Sequence, residues 1–132
     1  MLAIFRVNGR LLRAGDNLAR DLDLTSARWQ VLGAIVDRPR TVAQIARYFE
    51  STRQGVLWVV TALVKDGIVE LVDNPDHKRA KLVQFTARGQ AIHTEITRRQ
   101  VAWVNGFGDH FDVAELRRTI DVLERLGQEL GV

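Results

Sequence analysis

Residues 41–67 read TVAQIARYFESTRQGVLWVVTALVKDG, two short helical patterns joined by a tight break. Thr41 stands where an N-cap belongs, and Gln44 three residues on completes a capping box. Val42, Ile45, Ala46 and Phe49 recur at i, i+3, i+4 and i+7, a single buried stripe. Glu50 and Ser51 form the break. Ser51 with Gln54 predicts a second capping box and a second helix. Its expected inner face is Val56, Val60, Leu63 and Val64, and its outer face Gln54, Leu57, Trp58, Thr61 and Lys65. Gly67 is expected just past its terminus. The pair reads as a helix-turn-helix, the arrangement that lays its second helix in a DNA major groove. The same pattern also fits an αα-hairpin inside a helical core, so the next segment matters.

That segment is a hairpin. Ile68-Val69-Glu70-Leu71-Val72 is a β-branched run, and Lys81-Leu82-Val83-Gln84-Phe85 is the returning strand. Asp73-Asn74-Pro75-Asp76 is turn chemistry between them. His77, Lys78, Arg79 and Lys81 put positive charge at the tip. A basic hairpin directly after a helix-turn-helix reads as a wing, with an arginine placed to enter a minor groove.

On either side the chain is helical. Residues 1–20 carry Leu2, Phe5, Leu12 and Leu18 between Arg6, Arg10, Arg13 and Arg20. Gly9 and Gly15 work against this helix, each by roughly 1 kcal/mol relative to Ala. Thr25 is the expected N-cap of a helix over 26–37, with Ala27, Val31, Leu32, Ile35 and Val36 inward and Trp29 off the centre of that stripe. Pro39 stops it. Thr86 caps a long helix holding Ile92, Ile96, Trp103 and Phe107. The last pattern, 113–130, has Val113, Leu116, Ile120, Leu123 and Leu130 on a seam close to a heptad. The terminal segments carry more apolar surface than so short a chain can cover, which reads as a dimerisation layer.

The 132 residues fit one domain, or one domain plus oligomerisation helices. The net charge is only +3, so its distribution decides. Residues 38–88 hold nine Lys and Arg against five Asp and Glu, whereas 109–130 hold three against six. The middle is the anion-facing part. The absence of cysteine excludes disulfides, a thiol redox switch, a Cys nucleophile and thiolate-bound zinc. No apolar run approaches the ~20 residues of a membrane span, and no secretory h-region with a cleavage site is seen. The cytoplasm is the expected location.

At this point the order of parts resembles the MarR family of bacterial transcription regulators. The likeness rests on Leu24-Thr25-Ser26-Ala27-Arg28-Trp29, on Thr52-Arg53-Gln54-Gly55-Val56, on Asn74-Pro75-Asp76-His77-Lys78-Arg79, and on Leu82-Val83-Gln84-Phe85-Thr86. It covers nearly the whole chain. The family's wing pattern, Asp-x-Arg, is met here by His77-Lys78-Arg79, which retains the arginine and lacks the aspartate. A second departure is Trp58, beside Leu57, where relatives commonly carry a polar or basic residue. The resemblance implies a mainly α fold with a small β-hairpin wing: an N-terminal dimerisation helix (1–24), a winged helix-turn-helix lobe (25–86) and C-terminal dimerisation helices (87–132). It implies a homodimer on a palindromic double-stranded operator, a repressor released by a small aromatic ligand. The expected DNA contacts are Arg40, Thr52, Arg53, Gln54, Leu57, Trp58, Thr61, Lys65, His77, Lys78, Arg79 and Lys81. The expected effector contacts are Arg13, Trp29 and His93.

An enzyme has little to stand on. His77, His93 and His110 lie far apart, and no Gly-rich phosphate loop, Gly-x-Ser-x-Gly or His-Glu-x-x-His occurs. No catalytic residue, metal or cofactor is expected. The competing reading is a winged-helix module for protein contacts through Leu57 and Trp58, since an exposed aromatic suits a protein hot spot. Trp58 itself has two readings, exposed toward a duplex or folded back on the wing.

Overall fold

A computed structural model describes residues 2–131; Met1 and Val132, the outermost ends of the two expected terminal segments, lie outside the described residues. The elements are α1 (Leu2–Ala19), a 3-10 turn (Arg20–Leu22), α2 (Ser26–Ala34), α3 (Val42–Tyr48), α4 (Arg53–Lys65), β1 (Val69–Val72), β2 (Leu82–Phe85), α5 (Ala87–Gly108) and α6 (Val113–Leu130). The fold is mainly helical, with one antiparallel two-stranded hairpin. The chain divides into two compact units within α5, after Arg98.

The first unit holds the whole buried core. Val31, Leu32 and Ala34 from α2, with Ile35 just past its end, meet Ile45 and Ala46 from α3, and Val56, Val60 and Leu63 from α4, with Ile68, Val69, Val83 and Ile96 closing the cluster. The predicted capping box of α3 is present: Thr41 Oγ1 accepts from the Gln44 N–H and the Gln44 side chain accepts from the Thr41 N–H.

The second cap is one residue later than expected. Glu50 stands at φ 51°, and the Ser51 N–H donates to the Ala46 carbonyl at 2.8 Å while the Glu50 N–H donates to Arg47. This is a Schellman closure of α3, which makes Ser51 part of the outgoing end of one helix. Thr52 therefore caps the next, its hydroxyl accepting from the Gly55 N–H. The end of α4 repeats the closure, with Gly67 at φ 69° and the Ile68 N–H reaching the Leu63 carbonyl. Within α4 the buried face is Val56, Val60 and Leu63 with Val59 packed behind them, and Val64, expected inside, is 37% exposed.

Helix α2 also stops three residues short of its expected end. The Arg40 Nε–H donates to the Ala34 carbonyl and its Nη2 forks onto Asp37, so the side chain fastens the α2 terminus. Val36, expected inside, is exposed as a result, and so is Ala27 at the other end.

The wing is joined to the core at both strands. Val69 pairs with Phe85 and Val72 with Leu82, and Val83 adds a bridge to Arg40. Thr86 donates its hydroxyl to the Gly67 carbonyl at 2.6 Å and accepts from the Gly89 N–H, which caps α5 and ties it to the end of α4.

The second unit is different in kind. None of the described residues after Ile96 is buried. Trp103, Phe107 and Phe111 stack edge to face along the chain, with centroids 4.8 and 6.5 Å apart. Asp112 caps α6, and Val113, Leu116, Ile120, Leu123 and Leu130 on that helix are all exposed. In the first unit, α1 likewise exposes Leu2, Phe5, Val7 and Leu11.

Candidate nucleic-acid interface

The outer face of α4 and the wing tip line one cleft of about 790 Å³. Arg53, Gln54, Leu57 and Thr61 come from the helix, and Arg79 and Lys81 from the wing. Sequence reasoning expected these six at the duplex, and the fold brings them to one surface. Val42, Val60, Val64 and Leu71 line it together with the cations Arg53, Arg79 and Lys81.

The wing tip is built rather than loose. The Asn74 side chain accepts from the Asp76 N–H, and the Asn74 carbonyl accepts from the His77 N–H. Lys81 reaches across the hairpin to Asp73 at 2.6 Å, and that hydrogen bond and charge hold the Asp73 carboxyl below the usual carboxylate range. Lys81 thus enters the site already paired. Lys78 and Arg79 are exposed and carry no ion pair among the described residues, so Asp76 does not take the place of the aspartate that the wing pattern lacks. His77 is exposed at the same tip.

Two of the expected contacts are engaged within the fold. Arg40 is the α2 fastener already described; its guanidinium also lies 5.5 Å from the Tyr48 ring centre, and its side chain is only 14% exposed. It does not line the cleft, and its bonds brace the end of α2. The Thr52 hydroxyl is occupied by its cap. On the outer line of α4, Thr61 bonds the Leu57 carbonyl, Lys65 is exposed in the last turn, and Trp58 is 78% exposed. That exposure removes the reading in which Trp58 folds onto the wing.

Residues far apart in sequence hold α4 in position. Arg28 pairs with Asp66 at 2.7 Å and donates to the Asp23 carbonyl, while Arg88 donates to the Asp66 carbonyl. Asp66 is the C-cap of α4, so α2 and α5 both grip the end of that helix. Nothing local marks a pair separated by 38 positions, and sequence reasoning missed it.

The three expected effector contacts lie in different surroundings. Trp29 packs beside α1 over Gly15, where an added Cβ would stand 3.5 Å from the indole. Arg13 is two residues from Gly15, which turns it to the other side of α1. His93 stands against Phe85 at the base of the wing, rings 5.3 Å apart, and burial pushes its pKa down from 6.5. Among the described residues no group of three or more His, Asp or Glu could hold a metal ion, and no helix is long and apolar enough to cross a membrane.

The family model described as the MarR family matches residues 22–80, from the 3-10 turn through the wing tip. An uncharacterised protein of Mycobacterium tuberculosis is 40% identical over 123 residues, covering 93% of this chain and 86% of that protein. This chain belongs to the MarR family. A more distant relative, the transcriptional activatory protein BadR of Rhodopseudomonas palustris, is 24% identical and covers 93% of this chain and 73% of its own. Solved MarR-family structures share the fold. One MarR family transcription regulator superposes with a TM-score of 0.86 at 22% identity, covering 98% of this chain and 86% of its own. A MarR variant from E. coli complexed with operator DNA gives 0.82 at 24%, covering 94% and 90%. CouR from Rhodococcus jostii, bound to p-coumaroyl-CoA, gives 0.85 at 18%, covering 94% and 88%. These MarR-family neighbours are transcription regulators, and at such identities the likeness is one of fold.

Proposed function

We propose that this protein is a homodimeric regulator that grips a palindromic operator, represses transcription, and is released by a small aromatic ligand in the cytoplasm. Its work is binding and not catalysis. The observation that carries the reading is the shared cleft of α4 and the wing, with Arg53 and Arg79 among its lining residues. The recognition helix would enter the major groove and Arg79 the minor groove, with Lys78 on the phosphates. The E. coli MarR complex with operator DNA supports the duplex, and CouR with p-coumaroyl-CoA supports an aromatic effector. Arg13, Trp29 and His93 are the side chains we assign to effector response. BadR's name carries the opposite direction of control, and a promoter-reporter assay with and without the protein separates the two.

The test is selection of a binding duplex from a random pool, followed by salt titration of the wild type and Arg79→Ala. The selected site should show two half-sites about 10 bp apart. Arg79→Ala should weaken binding and flatten the plot of log K against log salt by about one unit per subunit. Aromatic acids added to the complex should release the duplex. Equal affinity and slope for both proteins would remove the wing from the interface. The runner-up is a protein-contact module using the Leu57 and Trp58 face, favoured by Trp58's exposure, and it predicts a shallow salt dependence and no selected duplex.

A further inference from the structure

The two neighbouring apolar residues of α4 do different jobs. Leu57 is a wall of the cleft that faces the wing, together with Val60, Val64 and Leu71. Trp58 is no part of that wall. At 100° per residue it falls on the line Gln54, Trp58, Thr61, Lys65, which runs opposite the buried Val56, Val60 and Leu63. Its neighbours on the side away from the wing, Gly55 and Ala62, are too small to cover an indole. The ring is 78% exposed and has neither a hydrogen bond nor a ring partner among the described residues. It is the largest side chain on the face presented outward, and it lies in the N-terminal half of α4, the half of a recognition helix that meets base edges.

We propose that Trp58 is a specificity-determining residue that reads thymine in the major groove, an inference that rests on the DNA-binding reading above. The chemistry follows from matching the groups. An indole offers a broad apolar surface and one N–H donor, with no acceptor. In the major groove thymine offers a C5-methyl group beside the O4 acceptor. The ring covers the methyl while its N–H meets O4. Cytosine puts an N4–H₂ donor at the same place and lacks the methyl, so an indole there faces donor with donor. Guanine offers acceptors without an apolar landmark. An Arg or Lys at this position would prefer guanine; Trp58 shifts the preference to A·T pairs beneath the middle of the helix. Gln54, one turn earlier on the same line, is placed to read an adjacent adenine through its N6 and N7.

The test uses the full-length protein and the duplex it selects. Thymines under the helix centre are replaced by uracil, which removes the methyl and leaves every hydrogen-bonding group in place. Each methyl deletion should weaken wild-type binding about fourfold, the scale of one buried methyl group. Trp58→Ala should bind the thymine duplex about tenfold or more weakly and lose nothing further on uracil, because the partner of the methyl has gone. Its melting temperature should stay within a few degrees of wild type, as expected for an exposed side chain. Equal uracil penalties in both proteins, or none in the wild type, would overturn the assignment while leaving the DNA-binding reading intact. Failure to select any duplex would overturn both. The wild-type uracil series needs no variant, so its outcome does not depend on how the mutant folds.

Discussion

Glycine 89 shows how one residue fixes where the wing can stand. A Cβ built there would lie 1.8 Å from the Ile68 carbonyl oxygen and 2.9 Å from its carbon, both backbone atoms that cannot swing away. The close approach lets α5 begin directly on the end of α4, where Thr86 bonds the Gly67 carbonyl. Gly89→Ala must therefore push α5 from the base of the hairpin, at a cost of about 3 kcal/mol, the upper end of the usual overpacking scale. Urea unfolding should show it, and a variant within about 0.5 kcal/mol of wild type would contradict the packing. Glu50 and Gly67 make a related contrast. Both occupy the left-handed position that closes a helix, but only one is glycine. This is why the break at Glu50-Ser51 could be read in the sequence while the cap after it could not. The Schellman bond from Ser51 to Ala46 depends on a backbone turn that a glutamate does not advertise.

At the scale of elements, α4 is held by its two ends. Arg28 and Arg88 converge on Asp66 at one end, Thr52 caps the other, and Trp58 stands between. The joint between α5 and the wing contains a titratable ring. His93 packs on Phe85, and its pKa is lowered from 6.5 by desolvation. The folded protein thus binds this proton less readily than the unfolded chain does. Stability should be complete above pH 6.5 and fall as pH drops from there through the lowered value. Melting temperatures between pH 7 and pH 5 should decline more steeply in the wild type than in His93→Gln, and parallel declines would show that the ring is not the source. Most of this architecture was legible beforehand. The order of helices, the α3 capping box, the hairpin and the last helix over 113–130 follow from local pattern. The bracing bonds of Arg40 were not legible, because its charge was visible while its partners, the Ala34 carbonyl and Asp37, become neighbours only once α2 has ended early. The sequence likewise suggested that Leu57 and Trp58 act together, whereas in the fold Leu57 lines the cleft beside the wing and Trp58 does not.

At the scale of the whole molecule, the question is what covers the apolar helices. Residues 99–131 form no buried core, and α6 displays its entire seam, from Val113 through Leu116, Ile120 and Leu123 to Leu130. The α1 helix shows Leu2, Phe5, Val7 and Leu11 in the same way. A helix as regular as α6 is not stable alone in water on propensity, because most helical stability comes from packing an amphipathic face. An 18-residue helix with an unbroken apolar seam therefore requires a partner surface of matching length. In the homodimer proposed above, a second copy of the chain would supply one by symmetry, the same patch being used on both subunits. Light scattering at micromolar concentration should give twice 14.9 kDa. Leu123→Asp places a charge at the centre of the seam and occurs twice in a dimer. The hydrophobic loss alone, about 1 kcal/mol per half-buried leucine, should weaken association at least tenfold, with charge repulsion adding to it. The variant should run as a monomer at concentrations where the wild type is a dimer, and should lose affinity for a two-half-site duplex far more than for a single half-site. A wild-type chain that stays folded and monomeric would leave the seam without its partner and end the proposal.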